Sequence, residues 1–209
     1  DALVYLDRRY TYRQLDEITD RLAMHLRRCG VGRENIVGVL IPRCEYMMIC
    51  SLGILKAGGA YMPLDPSYPP ERLNLMMQDS GAQVLITTPE LSGIIRDEQG
   101  CLRIMTQEIL DMQDIAKPLP VPKSEDLFVM LYTSGSTGVP KGVVACHRSV
   151  IDYIENLSET LGFNENTIFG NQAPLYFDAC LKELYPTIKF GATTFIIPHS
   201  LFMFPIKLV

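Results

Sequence analysis

Ile36-Val-Gly-Val-Leu-Ile41 is a short apolar run that stops at Pro42, and its reading decides the fold class. Six residues of that composition, bounded by a proline, predict a strand buried on both faces. On its C-terminal side, Glu45 to Lys56 reads as a helix closed by Gly58-Gly59. Ala60-Tyr-Met-Pro63 is then a short extended piece, and Pro69-Pro70 opens a helix through Asp79 with Gly81 past its end. Ala82-Gln-Val-Leu-Ile-Thr87 is a further strand. On the N-terminal side, Leu15, Ile18, Leu22, Leu26 and Cys29 recur at helical spacing before Gly30. This alternation predicts an α/β fold of layered sheets and helices, with a largely parallel sheet covered on both faces.

Further along, residues 111 to 126 are the least patterned, and Lys117-Pro-Leu-Pro-Val-Pro122 is expected to be extended and exposed. A lobe boundary and a plain surface connection both fit that stretch. Leu127-Phe-Val-Met-Leu-Tyr132 follows as a strongly apolar strand. The chain resumes as a strand at 143 to 146 and as a helix from Arg148 to Leu161, and a strand, a helix and a strand lead to Pro198. Pro205-Ile-Lys-Leu-Val209 looks like the first turn of a helix, so the sequence is expected to be a fragment.

The bulk composition sets outer limits on function. The chain has 209 residues, 47% hydrophobic and 21% charged, as in an ordinary soluble globular protein. Its net charge is −5 and no run of Lys or Arg tracks a phosphate backbone, which argues against a nucleic-acid partner. Cys29, Cys44, Cys50, Cys101, Cys146 and Cys180 show no CxxC spacing, so they are expected to be buried reduced thiols and no metal site is expected. Met47 to Leu55, the most apolar stretch, is about half the ~20 residues needed to span a bilayer. Asp1-Ala-Leu-Val-Tyr-Leu-Asp7 lacks a basic leader, and a soluble cytoplasmic protein without a membrane partner is expected.

Tyr132-Thr-Ser-Gly-Ser-Thr-Gly-Val-Pro-Lys-Gly142 carries the chemistry. Glycines let successive backbone N–H groups turn inward as an anion-binding nest. The hydroxyls of Thr133, Ser134, Ser136 and Thr137 can donate to phosphate oxygens, and Lys141 adds a mobile positive charge. A flexible hairpin tip is the plain alternative. Against it stand the stiffening Pro140-Lys141 pair and the lack of acidic residues. The loop is not a Walker A loop, because Lys141 precedes Gly142 and the strand-like Val143-Val-Ala-Cys146 instead of Ser or Thr and a helix.

This string closely resembles the signature loop of the adenylate-forming superfamily, which includes acyl-CoA synthetases, luciferases and the adenylation domains of nonribosomal peptide synthetases. Tyr10-Thr-Tyr-Arg-Gln-Leu15, Leu55-Lys-Ala-Gly-Gly-Ala-Tyr-Met-Pro-Leu-Asp65 and Phe177-Asp-Ala-Cys180 narrow the resemblance to amino-acid-activating members. Leu181-Lys-Glu-Leu-Tyr-Pro186 is also similar to D-alanyl carrier protein ligases. The resemblance covers essentially residues 1–209 and implies the large N-terminal domain of such an enzyme, incomplete. It implies that a substrate carboxylate attacks the α-phosphate of Mg-ATP, giving an acyl-adenylate and pyrophosphate. The acyl group would then pass to a phosphopantetheine thiol on a carrier domain, among other synthetase domains. Thr133, Ser134, Gly135, Ser136, Thr137, Gly138 and Lys141 would hold the β- and γ-phosphates, with Lys141 serving catalysis.

The resemblance also implies that Asp178 binds the α-ammonium group of the substrate. A helix N-cap is the alternative for that residue, since Asp before an apolar helical run is an ordinary start signal. Ala179 and Lys182 would line the side-chain pocket, with an acidic amino acid as the best guess, although Lys182 could equally form a simple i,i+4 pair with Asp178. His147 is read as structural, and Met47, Met48, Met76 and Met77 as core filling. An acyl- or aryl-CoA ligase is the runner-up. Because the resemblance places the ribose-binding Asp, an adenine-stacking aromatic and a C-terminal lobe further downstream, these residues alone are expected to be inactive and at most to bind nucleotide.

Overall fold

The computed structural model of the chain describes residues 1–96, 100–113, 119–134 and 140–202. Leu3–Tyr5 (β1) and Arg8–Tyr10 (β2) form a small antiparallel hairpin that turns at Leu6, whose φ is 52°. Tyr12–Arg28 (α1) starts at a capping box, in which Thr11 accepts from the Gln14 backbone N–H and the Gln14 side chain accepts from the Thr11 N–H. The predicted stripe Leu15, Ile18, Leu22 and Leu26 is the buried face of this helix.

Ile36–Leu40 (β3), Tyr46–Ala57 (α2), Ala60–Leu64 (β4), Pro70–Ser80 (α3) and Val84–Thr87 (β5) follow in the expected alternation. Helix α2 is apolar on nearly every side and almost wholly buried, as a helix in a middle layer must be. It packs on α1 so closely that a Cβ at Gly53 would lie 2.6 Å from Leu22 Cδ2. Gly58 and Gly81 close α2 and α3 in the left-handed conformation, at φ 91° and 65°. Strand β5 starts two residues later than expected, at Val84. Leu102–Met105 (β6) and Thr106–Ile109 (α4) come next, then Leu127–Ser134 (β7), Pro140–Cys146 (β8) and His147–Leu161 (α5). Ile168–Asn171 (β9), a 3-10 turn Asp178–Cys180, Leu181–Phe190 (α6), Thr193–Ile196 (β10) and His199–Phe202 (α7) complete the described chain.

Two sheets result. One has the order β6-β5-β3-β4-β7-β8, parallel throughout except for β8, which returns antiparallel along β7. The other has the order β2-β1-β10-β9 and joins the first strands of the chain to the last. Residues 111–126 run between α4 and β7, and strands from both sides of that stretch enter the six-stranded sheet. Val121 there is 89% exposed, while Lys117 and Pro118 lie outside the described residues, as does the expected terminal turn at 205–209.

The four methionines read as core are all buried. Only two of the six cysteines are, Cys50 and Cys180, because the others sit where elements end; none forms a disulfide. Burial holds the Cys50 thiol well above its ordinary pKa and pushes Cys180 up to about 12. No helix among the described residues is long and apolar enough to cross a membrane.

Candidate functional site

The residues expected to bind phosphate fall at the end of β7, at the start of β8 and between the two strands. Tyr61 of β4 pairs with Val129 of β7 in parallel, so Thr133 and Ser134 at the end of β7 lie at the C-terminal edge of the six-stranded sheet. Parallel sheets place their ligand sites at that edge. The last two pairs of the ladder are Thr133 with Lys141 and Ser134 with Pro140. Thr133 and Lys141 are exposed, and neither side chain makes a hydrogen bond or ion pair among the described residues. Gly135, Ser136, Thr137 and Gly138 lie outside the described residues.

The base of the hairpin is anchored. The Tyr132 hydroxyl donates to Asp79 Oδ2 at 2.6 Å and to the Met76 carbonyl at 3.3 Å, which ties β7 to α3. Burial first and the Asp79 carboxylate second raise its pKa, so Tyr132 remains a donor. Opposite it, a Cβ on Gly142 would lie 2.0 Å from Met130 Cε, the movable end of that side chain, and 3.3 Å from Tyr132 Cζ.

Asp178 opens the 3-10 turn and is exposed. The residue preceding the turn is Phe177, and no side-chain hydrogen bond caps either the turn or α6. The N-cap alternative therefore does not hold. Lys182, on the first turn of α6, is also exposed and forms no ion pair with Asp178 among the described residues. The apolar composition around Asp178 suggests a desolvated charge, yet the apolar side chains point elsewhere: Leu175, Cys180 and Leu181 are buried while Phe177 is 57% exposed. Ala179 is half-buried between them.

The segment leading to Asp178 is held by residues that the sequence did not single out. Arg43, just past β3, directs its guanidinium to the ends of β9 and β10. Nε donates to Ile197 O at 2.7 Å, Nη1 to Ala173 O at 3.2 Å, and Nη2 to Asn171 O at 2.6 Å and Asn171 Oδ1 at 2.7 Å. The fully buried Asn171 in turn donates through Nδ2 to Glu183 Oε2 at 2.6 Å. That oxygen also accepts the backbone N–H groups of Gln172 at 3.0 Å and Ala173 at 2.9 Å. At the other end, Tyr176 lies beside the buried Asp65 carboxylate, which, after burial itself, raises the Tyr176 pKa and accepts from Ser67 N and Oγ.

Asp65 directly follows β4, the neighbour of β7. The Tyr176–Asp65 contact therefore brings the approach to Asp178 onto the same sheet edge as the loop. A crevice of about 390 Å³ opens there, lined by Ile41, Arg43, Met47, Pro63, Asp65 and Tyr176 among others. It lies where the chain passes from β3 to β4 on one side and then back to β5 on the other, a topological switch point. His147 is half-buried with its ring 5.0 Å from that of Phe128, and burial lowers its pKa, in keeping with a structural role. The only sequence signal for Arg43, Asp65, Asn171 and Glu183 was polarity inside otherwise apolar surroundings.

The model of the family described as AMP-binding enzyme matches residues 1–209, the whole chain. The chain belongs to the AMP-binding enzymes. Among relatives of this AMP-binding chain, gramicidin S synthase 2 of Brevibacillus brevis is 39% identical over 191 residues, which cover 91% of the chain and 4% of that protein. Bacitracin synthase 1 of Bacillus licheniformis is 39% identical over 196 residues, covering 94% of the chain and 4% of the relative. The AMP-binding chain thus spans only a small part of the proteins it matches. Among solved structures, the nonribosomal peptide synthetase FmoA3 bound to alpha-methyl-L-serine-AMP superposes with a TM-score of 0.86 at 27% identity, over 95% of this chain and 22% of that one. The same synthetase, bound to AMPPNP, superposes with a TM-score of 0.85.

Proposed function

We propose that the protein carrying this chain uses ATP to activate an amino acid, releasing pyrophosphate, and loads the product onto the phosphopantetheine thiol of a carrier domain. One observation carries the reading. The exposed, unengaged Thr133–Lys141 pair and the tethered approach to Asp178 share one edge of the sheet. The similarity to peptide synthetases supports it, and in this reading other synthetase domains stand beside the carrier.

In this reading Thr133, Ser134, Gly135, Ser136, Thr137 and Gly138 hold the β- and γ-phosphates through hydroxyls and backbone N–H groups. Lys141 offsets the negative charge that grows on the leaving pyrophosphate, the main need of in-line displacement at phosphorus. Mg²⁺ would arrive as part of Mg-ATP; the described residues contain no group of three or more His, Cys, Asp and Glu placed to hold a metal. Asp178 pairs with the α-ammonium group, and Ala179 and Lys182 face the side chain, Lys182 favouring an acidic one. The location is cytoplasmic.

The test is amino-acid-dependent ATP–pyrophosphate exchange by the whole protein across the twenty standard amino acids. Exchange that Asp178→Asn abolishes supports the reading. Turnover confined to acids without an α-amino group would show an acyl- or aryl-CoA ligase, and nucleotide binding without exchange would show a non-catalytic module. Residues 1–209 by themselves are expected to give no exchange.

A further inference from the structure

Residues 172 to 177 form no regular element between the end of β9 and the 3-10 turn at Asp178, and yet the segment is pinned at both ends. At the start, one guanidinium, one carboxamide and one carboxylate stand in series: Arg43 donates to Asn171 Oδ1, and Asn171 Nδ2 donates to Glu183 Oε2. Each bond polarises the other, so the series holds more firmly than two separate bonds between neutral groups. Glu183 also takes the two backbone N–H groups that an irregular segment would otherwise leave without partners. Near the far end, two residues before Asp178, Tyr176 lies in one crevice beside the buried Asp65 carboxylate.

These contacts come from three separate elements: Arg43 and Asp65 lie at the ends of β3 and β4, and Glu183 on the first turn of α6. None is needed to close a sheet ladder or a helix turn. Their common product is the path of the backbone into Asp178, whose own carboxylate is unengaged among the described residues.

We propose that Asn171, Glu183 and Asp65 are positioning residues for the amino-acid substrate, fixing residues 171–178 as a strap whose end presents the Asp178 carboxylate. This rests on the ammonium-binding role of Asp178 stated above. The strap does not anchor the phosphate loop, whose base is tied to α3 through Tyr132. Loosening the strap therefore acts on amino-acid binding and spares ATP binding. A displacement of about 1 Å at a binding group is worth up to roughly 100-fold.

The experiment uses the whole protein and the amino acid that gives the fastest exchange of the twenty. Glu183→Gln keeps the shape and an acceptor oxygen but removes the charge; Asp65→Asn does the same at the far end. In each, KM for the amino acid is expected to rise roughly tenfold while KM for ATP stays within about twofold. Asn171→Ala is expected to give a larger rise, and should it fail to fold, the two isosteric variants still decide. Unchanged amino-acid KM in both isosteric variants overturns the inference, as does a rise in both KM values together, which a general loss of structure would give. If Asp178→Asn itself leaves amino-acid KM untouched, the ammonium role fails, and with it the proposed function of that residue. If Asp178→Asn raises that KM and Glu183→Gln and Asp65→Asn do not, only the strap fails.

Discussion

Replacing Lys141 by alanine separates binding chemistry from folding. Lys141 sits across the ladder from Thr133, is exposed, and has no partner among the described residues. Its removal takes nothing from the folded state, and an exposed substitution of this kind changes stability by no more than about 0.5 kcal/mol. What it removes is one charge-assisted contact to the phosphates, worth about 1.5–3 kcal/mol. If that contact strengthens as pyrophosphate leaves, the exchange rate falls by roughly 10- to 150-fold. Exchange measured at saturating amino acid and ATP, beside a thermal melt of the same preparation, gives both numbers. Lys141→Arg keeps the charge and is expected to recover part of the rate. An alanine variant that exchanges at the normal rate and melts at the normal temperature would refute the role of Lys141. A loss of rate matched by a loss of stability would refute the argument from exposure.

Gly142→Ala should destabilise by no more than about 1 kcal/mol, read from a urea midpoint, because the new Cβ would fall 2.0 Å from the methyl end of Met130, a flexible side chain that can swing aside. Arg43→Ala leaves Ile197 O and Asn171 Oδ1 without a donor among the described residues and takes one of two donors from Asn171 O and Ala173 O, and a loss of about 3 kcal/mol is expected in the same assay. Burial holds His147 below its ordinary pKa of 6.5, so the unfolded chain binds a proton more readily. Stability from this residue should therefore rise with pH until about 6.5 is passed, and His147→Gln should flatten that rise in denaturation curves taken at successive pH values.

Much of the six-stranded sheet was legible because its strands are buried on both faces and separated by proline or glycine. Ile36-Val-Gly-Val-Leu-Ile41 could hardly be anything else. Strands β1, β2 and β6 escaped, since three or four residues with mixed polarity, such as Arg8-Arg-Tyr10, carry no period. Their pairing comes from partners distant in the chain. At the site, the loop and Asp178 announced themselves by composition and by a string that is long and specific. Arg43, Asn171 and Glu183 could not, because each is an ordinary polar residue whose meaning is its contact with another more than a hundred residues away or on a different element. The exposure of Asp178 was not legible for a related reason: apolar neighbours along the chain point to the core while the carboxylate points out.

The four-stranded sheet sets a timetable for synthesis. Leu3 lies beside Thr194 in its ladder, so β1 has no parallel partner until almost the last described residue has left the ribosome. At ~5–20 residues per second that wait lasts roughly 10–40 s. Throughout it, Leu3 and Val4, both buried in the finished fold, travel on a hairpin with one open edge. The open edge of β1 is exposed to wrong pairing for that whole interval, and a holding chaperone would find its target there.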